Sequence, residues 1–511
     1  MSDWSAGYVA DIDYTYGYYP ELSPLRARLP LLNQGLHCPR IDTACELGFG
    51  QGFAICTHGA ATNIKWYGND FNPAQAGFAQ EMASAIDGNI NVFDDSFEEF
   101  AQRSDLPEFD FIAMHGVWSW ISDENRKIIV DFIDDKLKVG GILYVSYNTL
   151  PGWSAFAQMR HLMTQHTKIM GSKGEGIVSR IDNAIAFSEQ LEKVEPLYGK
   201  IFPHVKERIA EMKEKDKQYL AHEYFNKDWH PMHFSNMVDL LGPAKLQYAC
   251  SAHYPDHIDA LNLTQEQQQL LKTIPNVTFR ESVRDFMTNQ SFRRDYWVKG
   301  LRRLSPPEQL HELSKLRFIL SYPRKDIKLK VKGMLGEAEL SKEIYIPILD
   351  CFADHKIKSI EQVEDSVSSS KINSPQLIQA IMILASMGYI RAVQEEKEVA
   401  SCRKKTARFN RYLLDKSMVR ADLNFLASPV IGSCIAVNRC NQLFIQALDN
   451  NMKTAEQLAQ YVWKILSSQG VAIMKENKAL ESEAESMSEL QSVARDFLEN
   501  FYPILKSLQA V

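Results

Sequence analysis

The segment that most constrains this chain is Glu46-Leu-Gly48-Phe-Gly50-Gln-Gly52. It follows a strand-like run, Arg40–Glu46, and precedes a helix-like one, Phe53–Ala61. Alternate glycines at a strand-to-helix turn let the backbone approach a ligand at the carboxyl edge of a sheet. Segments of the same two kinds continue downstream. Ile64–Gly68, Ile90–Phe93, Phe109–Met114 and Ile142–Tyr147 read as strands. Phe109–Met114 is nearly all apolar, as a strand buried on both faces must be. Asn72-Pro73 offers an N-cap and a proline at the first helical position. Asp123–Lys138 reads as a helix stopped by Gly140-Gly141. The alternation predicts an α/β fold, a parallel sheet with crossover helices.

The glycine register decides what the turn can hold. A dinucleotide turn needs G-x-G-x-x-G, and Phe53 stands where its third glycine would fall. No G-K-[ST] phosphate loop is present. What remains is acidic-x-G-x-G-x-G. An acidic Glu46 beside the turn suits a cation and repels a phosphate. Asp70, followed by Phe71, ends the second strand, where a carboxylate accepts both hydroxyls of a ribose. Asp95 and Ser96 follow the third strand. The plainer alternatives are a simple turn, a surface Asp70 and a capping Asp95.

Beyond Pro151 the pattern changes. Residues 155–220 read as a helical insertion, with a solvated, mixed-charge end at Lys206–Lys217. Leu246–Cys250 and Gln290–Val298 read as strands that complete the sheet. The expected division is a core over 1–300 with an N-terminal lid over 1–36, a middle domain over 301–400 and a C-terminal helical domain over 401–511. Ile327–Lys332 alternates apolar and basic like a half-buried strand. In 343–395, a helix from Ser374-Pro375, then Gly388, then a strand Tyr389–Val393 resembles a winged helix. Residues 454–508 read as two amphipathic helices, the first capped by Thr454.

Composition excludes several classes. The 511 residues are 45% hydrophobic and 24% charged, which rules out a mainly disordered chain. A net charge of −7 disfavours an overall basic nucleic-acid binder. The apolar runs near Ile381–Leu384 and Pro429–Val437 fall short of the ~20 residues a membrane helix needs. The start of the chain carries Asp3, Asp11 and Asp13 without a basic segment, unlike a signal peptide. Eight scattered cysteines without a CxxC predict reduced thiols in a cytoplasmic protein and no metal site.

The turn resembles motif I of the class I S-adenosylmethionine (SAM) methyltransferases, a Rossmann-like fold. The match narrows with Tyr14-x-x-Gly17-Tyr18-Tyr19-Pro20, His115-Gly-Val-Trp118-Ser-Trp120, Tyr147-Asn148-Thr-Leu-Pro-Gly-Trp153, His222-Glu223-Tyr224 and Glu281-x-x-x-Asp285. Together these resemble bacterial methyltransferases that carry a methyltransferase regulatory domain. That family includes lysine methyltransferases of outer-membrane proteins. The resemblance implies SAM as cofactor and protein-lysine N-methylation as activity. Tyr18, Tyr19, Glu46, Gly48, Gly50, Gly52, Asp70, Phe71, Asp95, Ser96 and His115 are the expected cofactor residues.

Methyl transfer from a sulfonium is an in-line displacement, so positioning matters more than a strong acid or base. A lysine nucleophile must lose its proton, which desolvation among aromatic rings favours. His115, Trp118, Tyr147, Asn148, Trp153 and His222 are the candidate catalytic residues. His115 and the His222–Glu223 pair are candidate bases, and equally structural groups. The tryptophans are candidate pocket walls, and equally helix–sheet packing. Two domains beyond the core favour a macromolecular substrate over the alternative, a glycan or small molecule. A nucleic-acid or regulatory module, resting on the winged-helix-like segment and Arg403, Lys404, Lys405, Arg408 and Arg411, is the competing class.

Overall fold

The computed structural model describes residues 16–86, 88–172, 174–476 and 478–511. Tyr14 of the N-terminal motif, Asp3, Asp11, Asp13 and the first 15 residues of the expected lid lie outside them. The central sheet has seven strands: β1 Thr43–Leu47, β2 Lys65–Asn69, β3 Ile90–Phe93, β4 Phe109–Met114, β5 Leu137–Asn148, β6 Leu246–Ser251 and β7 Phe292–Lys299. Their order is β3-β2-β1-β4-β5-β7-β6. The first five run parallel, and β7 is antiparallel to both β5 and β6. This is the Rossmann-like core that the sequence predicts. The order reverses between β1 and β4, and ligands bind at that switch point in open α/β sheets.

Side-chain alternation gives the sheet two apolar faces. Ala44, Phe111, Ile142, Tyr144 and Tyr296 point to one, which is covered by the helices Phe53–Ala61 and Pro73–Ser84. Cys45, Ile112, Leu143, Val145, Tyr147 and Trp297 point to the other, beneath Asp123–Lys136 and Phe234–Leu241.

The most informative differences from expectation lie at two boundaries. The first strand starts at Thr43 rather than Arg40, whose guanidinium turns outward to Asp42. The helix Asp123–Lys136 ends before Gly140-Gly141, because β5 already begins at Leu137. Those glycines lie inside the strand. A Cβ on Gly141 would stand 2.8 Å from the Lys138 carbonyl oxygen.

Five helices, from Ser154–Ile169 to Lys217–Tyr224, form the insertion between β5 and β6 around a small apolar core of their own. In the middle region the strand expected at Ile327–Lys332 is Lys330–Gly333, paired with Gly336–Glu339. The helix Ser374–Ser386, Gly388 and strand Ile390–Ala392 occur in the expected order. The strand pairs with Arg317–Leu320 in a three-stranded antiparallel sheet. Thr454 caps Ala455–Ser468 as expected.

The C-terminal region is not appended loosely. Its long helix Glu396–Ser417 lies on Phe53–Ala61: the Thr406 hydroxyl donates to the Ala60 carbonyl at 2.8 Å, and Lys405 reaches the Thr62 carbonyl. One continuous apolar core runs from the sheet's first face through Phe409, Leu426 and Phe444 to Leu508. No helix among the described residues is long and apolar enough to cross a membrane.

Candidate active site

The glycine turn is built as the sequence demands. Gly48, Gly50 and Gly52 have φ of +67°, +60° and +72°, all left-handed. A Cβ on Gly48 would stand 2.6 Å from Val117, and one on Gly52 would stand 2.4 Å from Ala79. Only glycine fits either place. Asp70 braces the turn: Oδ2 accepts the Gly50 amide at 2.8 Å, and Oδ1 accepts the Asn72 amide at 3.0 Å. Each oxygen keeps a second lone pair. Phe71 is half-buried beside it.

Glu46 is buried at the end of β1, and its Oε2 has no hydrogen-bond partner. At the end of β2, Asn69 Oδ1 is likewise buried and unpartnered. Two orphaned acceptors at adjacent strand ends call for donors from a ligand. Burial, reinforced by nearby Asp70, pushes the Glu46 carboxyl up to about 8. Burial raises Asp70 to about 7, against the two amides that hold it down. A cation placed between them would return both to the charged form. These residues fit the ammonium and ribose ends of SAM.

After β3 the geometry is mixed. Asp95 pairs with Arg103 at 2.9 Å and stays partly exposed. Ser96, not Asp95, caps the helix Phe97–Ala101, in a reciprocal capping box with Glu99. The Asn69 amide donates to the Asp95 carbonyl at 3.0 Å, tying this loop to the end of β2.

His115 sits just past β4, and its surroundings were only half legible. Nδ1 lies 2.7 Å from the Tyr144 hydroxyl and 3.4 Å from Ser146 Oγ, which also accepts the Gly116 amide. Tyr19 stacks on the imidazole, with ring centroids 3.8 Å apart. Burial lowers His115 to about 4, so it is neutral at physiological pH. Sequence reading missed Tyr144 and Ser146. The signal was available: Tyr144, Ser146 and Asn148 share the period-2 face of β5. Glu21 was also missed. It is buried, pairs with Arg294 at 3.1 Å and anchors the segment that carries Tyr19.

Four expected site residues are placed elsewhere. Trp118 is fully buried in the sheet's second face, so it is core. Tyr147 points to that face as well, where its hydroxyl donates to Asp295 at 2.8 Å. His222 is buried in the insertion's apolar core. Tyr18 turns from the turn toward Phe425, with its hydroxyl 3.0 Å from His58 Nε2.

Trp120 and Trp153 do meet, through a residue that sequence reading passed over. Trp229 has its ring centroid 5.0 Å from that of Trp153 and 6.2 Å from that of Trp120. This wall adjoins Asn148: the Asn148 amide donates to Ser119 Oγ at 2.8 Å, and the His230 amide donates to the Ser119 carbonyl. Trp153 itself is buried in the insertion's apolar core, and two of the ring faces hold guanidinium cations. The guanidinium of Arg208 lies 3.7 Å from the Trp153 ring centroid, and that of Arg160 lies 4.5 Å from the Trp229 centroid.

Residues 216–299 match the model of a predicted methyltransferase regulatory domain. A Synechocystis protein named uncharacterized protein sll1526 is 41% identical over 510 residues, covering 99% of both chains. The structure of PKMT2 from Rickettsia typhi in complex with AdoHcy superposes with a TM-score of 0.71 at 18% identity, over 97% of this chain and 99% of that one. The fold is therefore shared along the whole chain. With 41% identity from end to end, the regulatory segment in place and the Rossmann-like core completed around a Glu46 glycine turn, the chain belongs to the class I SAM-dependent methyltransferases that carry a methyltransferase regulatory domain.

Proposed function

We propose that this enzyme methylates the side-chain amine of lysine in a protein substrate. The observation that carries the reading is the aromatic wall of Trp120, Trp229 and Trp153 beside Asn148, whose ring faces already hold guanidinium cations. Ring faces of this wall not covered by a guanidinium would attract a lysine ammonium and its methylated products, at about 0.5–2 kcal/mol per face. The same desolvation lowers the lysine pKa, so the neutral nucleophile becomes accessible.

SAM, when bound, supplies an electrophilic methyl group on a sulfonium. The chain's own residues do the remainder. Glu46 and the backbone of Gly48–Gly52 would hold the cofactor's amino-acid end, Asp70 its ribose, and the Asp95–Ser96 loop its adenine. Tyr19, over His115, covers the site. The hydroxyls of Tyr144 and Ser146 fix the imidazole as a neutral polar wall. A group near pKa 4 is a poor acceptor for an ammonium proton, so that proton leaves to water.

The test is labelled methyl transfer from SAM into bacterial lysate, separated by size. Label in discrete protein bands, mapped to lysine by mass spectrometry, is the expected result. Label confined to glycan or low-mass fractions would refute the lysine reading.

A further inference from the structure

Away from the methyl-transfer site, a small cavity lies where the N-terminal segment, the middle region and a C-terminal hairpin, Phe425–Ser428 paired with Ser433–Ala436, meet the core. Arg26 and Arg391 both line it, together with the hydroxyl-bearing residues Tyr18, Ser23, Tyr254 and Ser433. Its volume is about 30 Å³, more than one water requires. Arg26 Nε is buried without a hydrogen-bond partner, and the guanidinium lies flat on Tyr254 at 3.9 Å. Among the described residues neither arginine has an ion pair. No carboxylate lines the cavity, and the charged or titratable groups that act most strongly on Arg391 are Arg26, Tyr18, Cys434 and Tyr254. Burial holds the phenols and the thiol in their neutral forms. Arg26 faces the carboxylate of Glu21, which it shares with Arg294.

Three guanidiniums against one carboxylate leave uncompensated positive charge in a half-buried place. Proteins compensate such charge with a counter-ion, because an unpaired buried charge is strongly unfavourable. We propose that the Arg26–Arg391 cavity binds a small oxyanion of the phosphate or sulfate class. The two guanidinium forks would grip it, with hydroxyl donors from Ser23 and Ser433. Ser23 and Arg26 belong to the N-terminal segment, Arg391 to the middle region and Ser433 to the C-terminal hairpin, so the anion ties all three together. Tyr18 lines the cavity and its chain neighbour Tyr19 lies on His115, so occupancy also steadies the cover of the active site.

The test uses the full-length protein and inorganic phosphate, titrated against chloride at equal ionic strength and followed by thermal unfolding and calorimetry. Phosphate is expected to raise the wild-type Tm by about 2–4 °C with saturation. Arg391→Gln should lose that increment, yet melt in chloride at or above the wild-type temperature, because it removes a charge that repels Arg26. Arg391→Lys should keep part of the response. Glycerol phosphate run in parallel identifies the source. A response equal to that of phosphate supports a phosphorylated metabolite, and a response to phosphate alone supports the free anion. Equal phosphate shifts in wild type and Arg391→Gln, or no saturable shift in wild type, would overturn the proposal.

Discussion

At Glu46 the chain buries a carboxyl whose Oε2 has no hydrogen-bond partner, at a cost in stability. Its carboxyl is raised to about 8 in the folded protein, far above its ordinary value. The folded state therefore holds this proton more tightly than the unfolded state does. Its contribution favours folding below that range and is lost as pH rises through about 5 to 8. Glu46→Gln should stabilise the ligand-free protein by about 1–3 kcal/mol at pH ~8.5 and change little at pH ~5, as read by urea unfolding. SAM should reverse the penalty in wild type and release protons on binding, visible as calorimetric heats that depend on buffer ionisation. His115 makes a separate prediction. Because it is neutral above about pH 5, the rate should show no step near pH 6.5 and should rise with pH as the lysine amine deprotonates. A step near 6.5 that vanishes in His115→Asn would make His115 a base after all. Glu46 and His115 were legible because charge and motif position expose them. Tyr144 was not, since its hydroxyl reads as one more apolar residue of β5 until the strand register sets it 2.7 Å from His115.

Among elements, β5 and the turn after β4 decide which aromatic rings work and which pack. The motif text shows Trp118 and Trp120 as equivalents, but the 3₁₀ turn Trp118–Trp120 sends them to different neighbours. Trp118→Leu should destabilise by about 2–4 kcal/mol through a cavity, with little change in KM for the protein substrate. Trp229→Leu should do the reverse, raising KM severalfold and moving the unfolding midpoint less. A matched pair of unfolding curves and saturation kinetics checks both. Strand positions were legible from apolar runs, apart from the start of β5, where two glycines read as a helix stop. Trp229 was not legible, because it meets Trp120 and Trp153 only after the insertion folds back on the core.

For the whole molecule, the shared apolar core makes the C-terminal region a structural partner of the sheet. The basic cluster that suggested nucleic acid is partly spent on contacts within the fold, of which Lys405 makes the one to the core. Arg403 bonds Gln509 at 2.8 Å, Lys405 bonds the Thr62 carbonyl, and Arg411 pairs with Asp449 at 2.9 Å. Truncation after residue 300 should expose the outer side of Phe53–Ala61 and give an aggregating product, judged by size-exclusion chromatography. A monodisperse, SAM-binding fragment would contradict the shared-core account. The expected division at 300 and 400 follows composition, whereas docking through Thr406 and Lys405 depends on long-range contacts that no local pattern records. The central claim is that the Glu46 glycine turn, braced by Asp70, holds SAM. Calorimetric titration of SAM into wild type, Glu46→Ala and Asp70→Ala tests it most directly. Saturable binding in wild type, weakened at least about tenfold in each variant, or about 1.4 kcal/mol, is the predicted result. Unchanged affinity in both variants would contradict it.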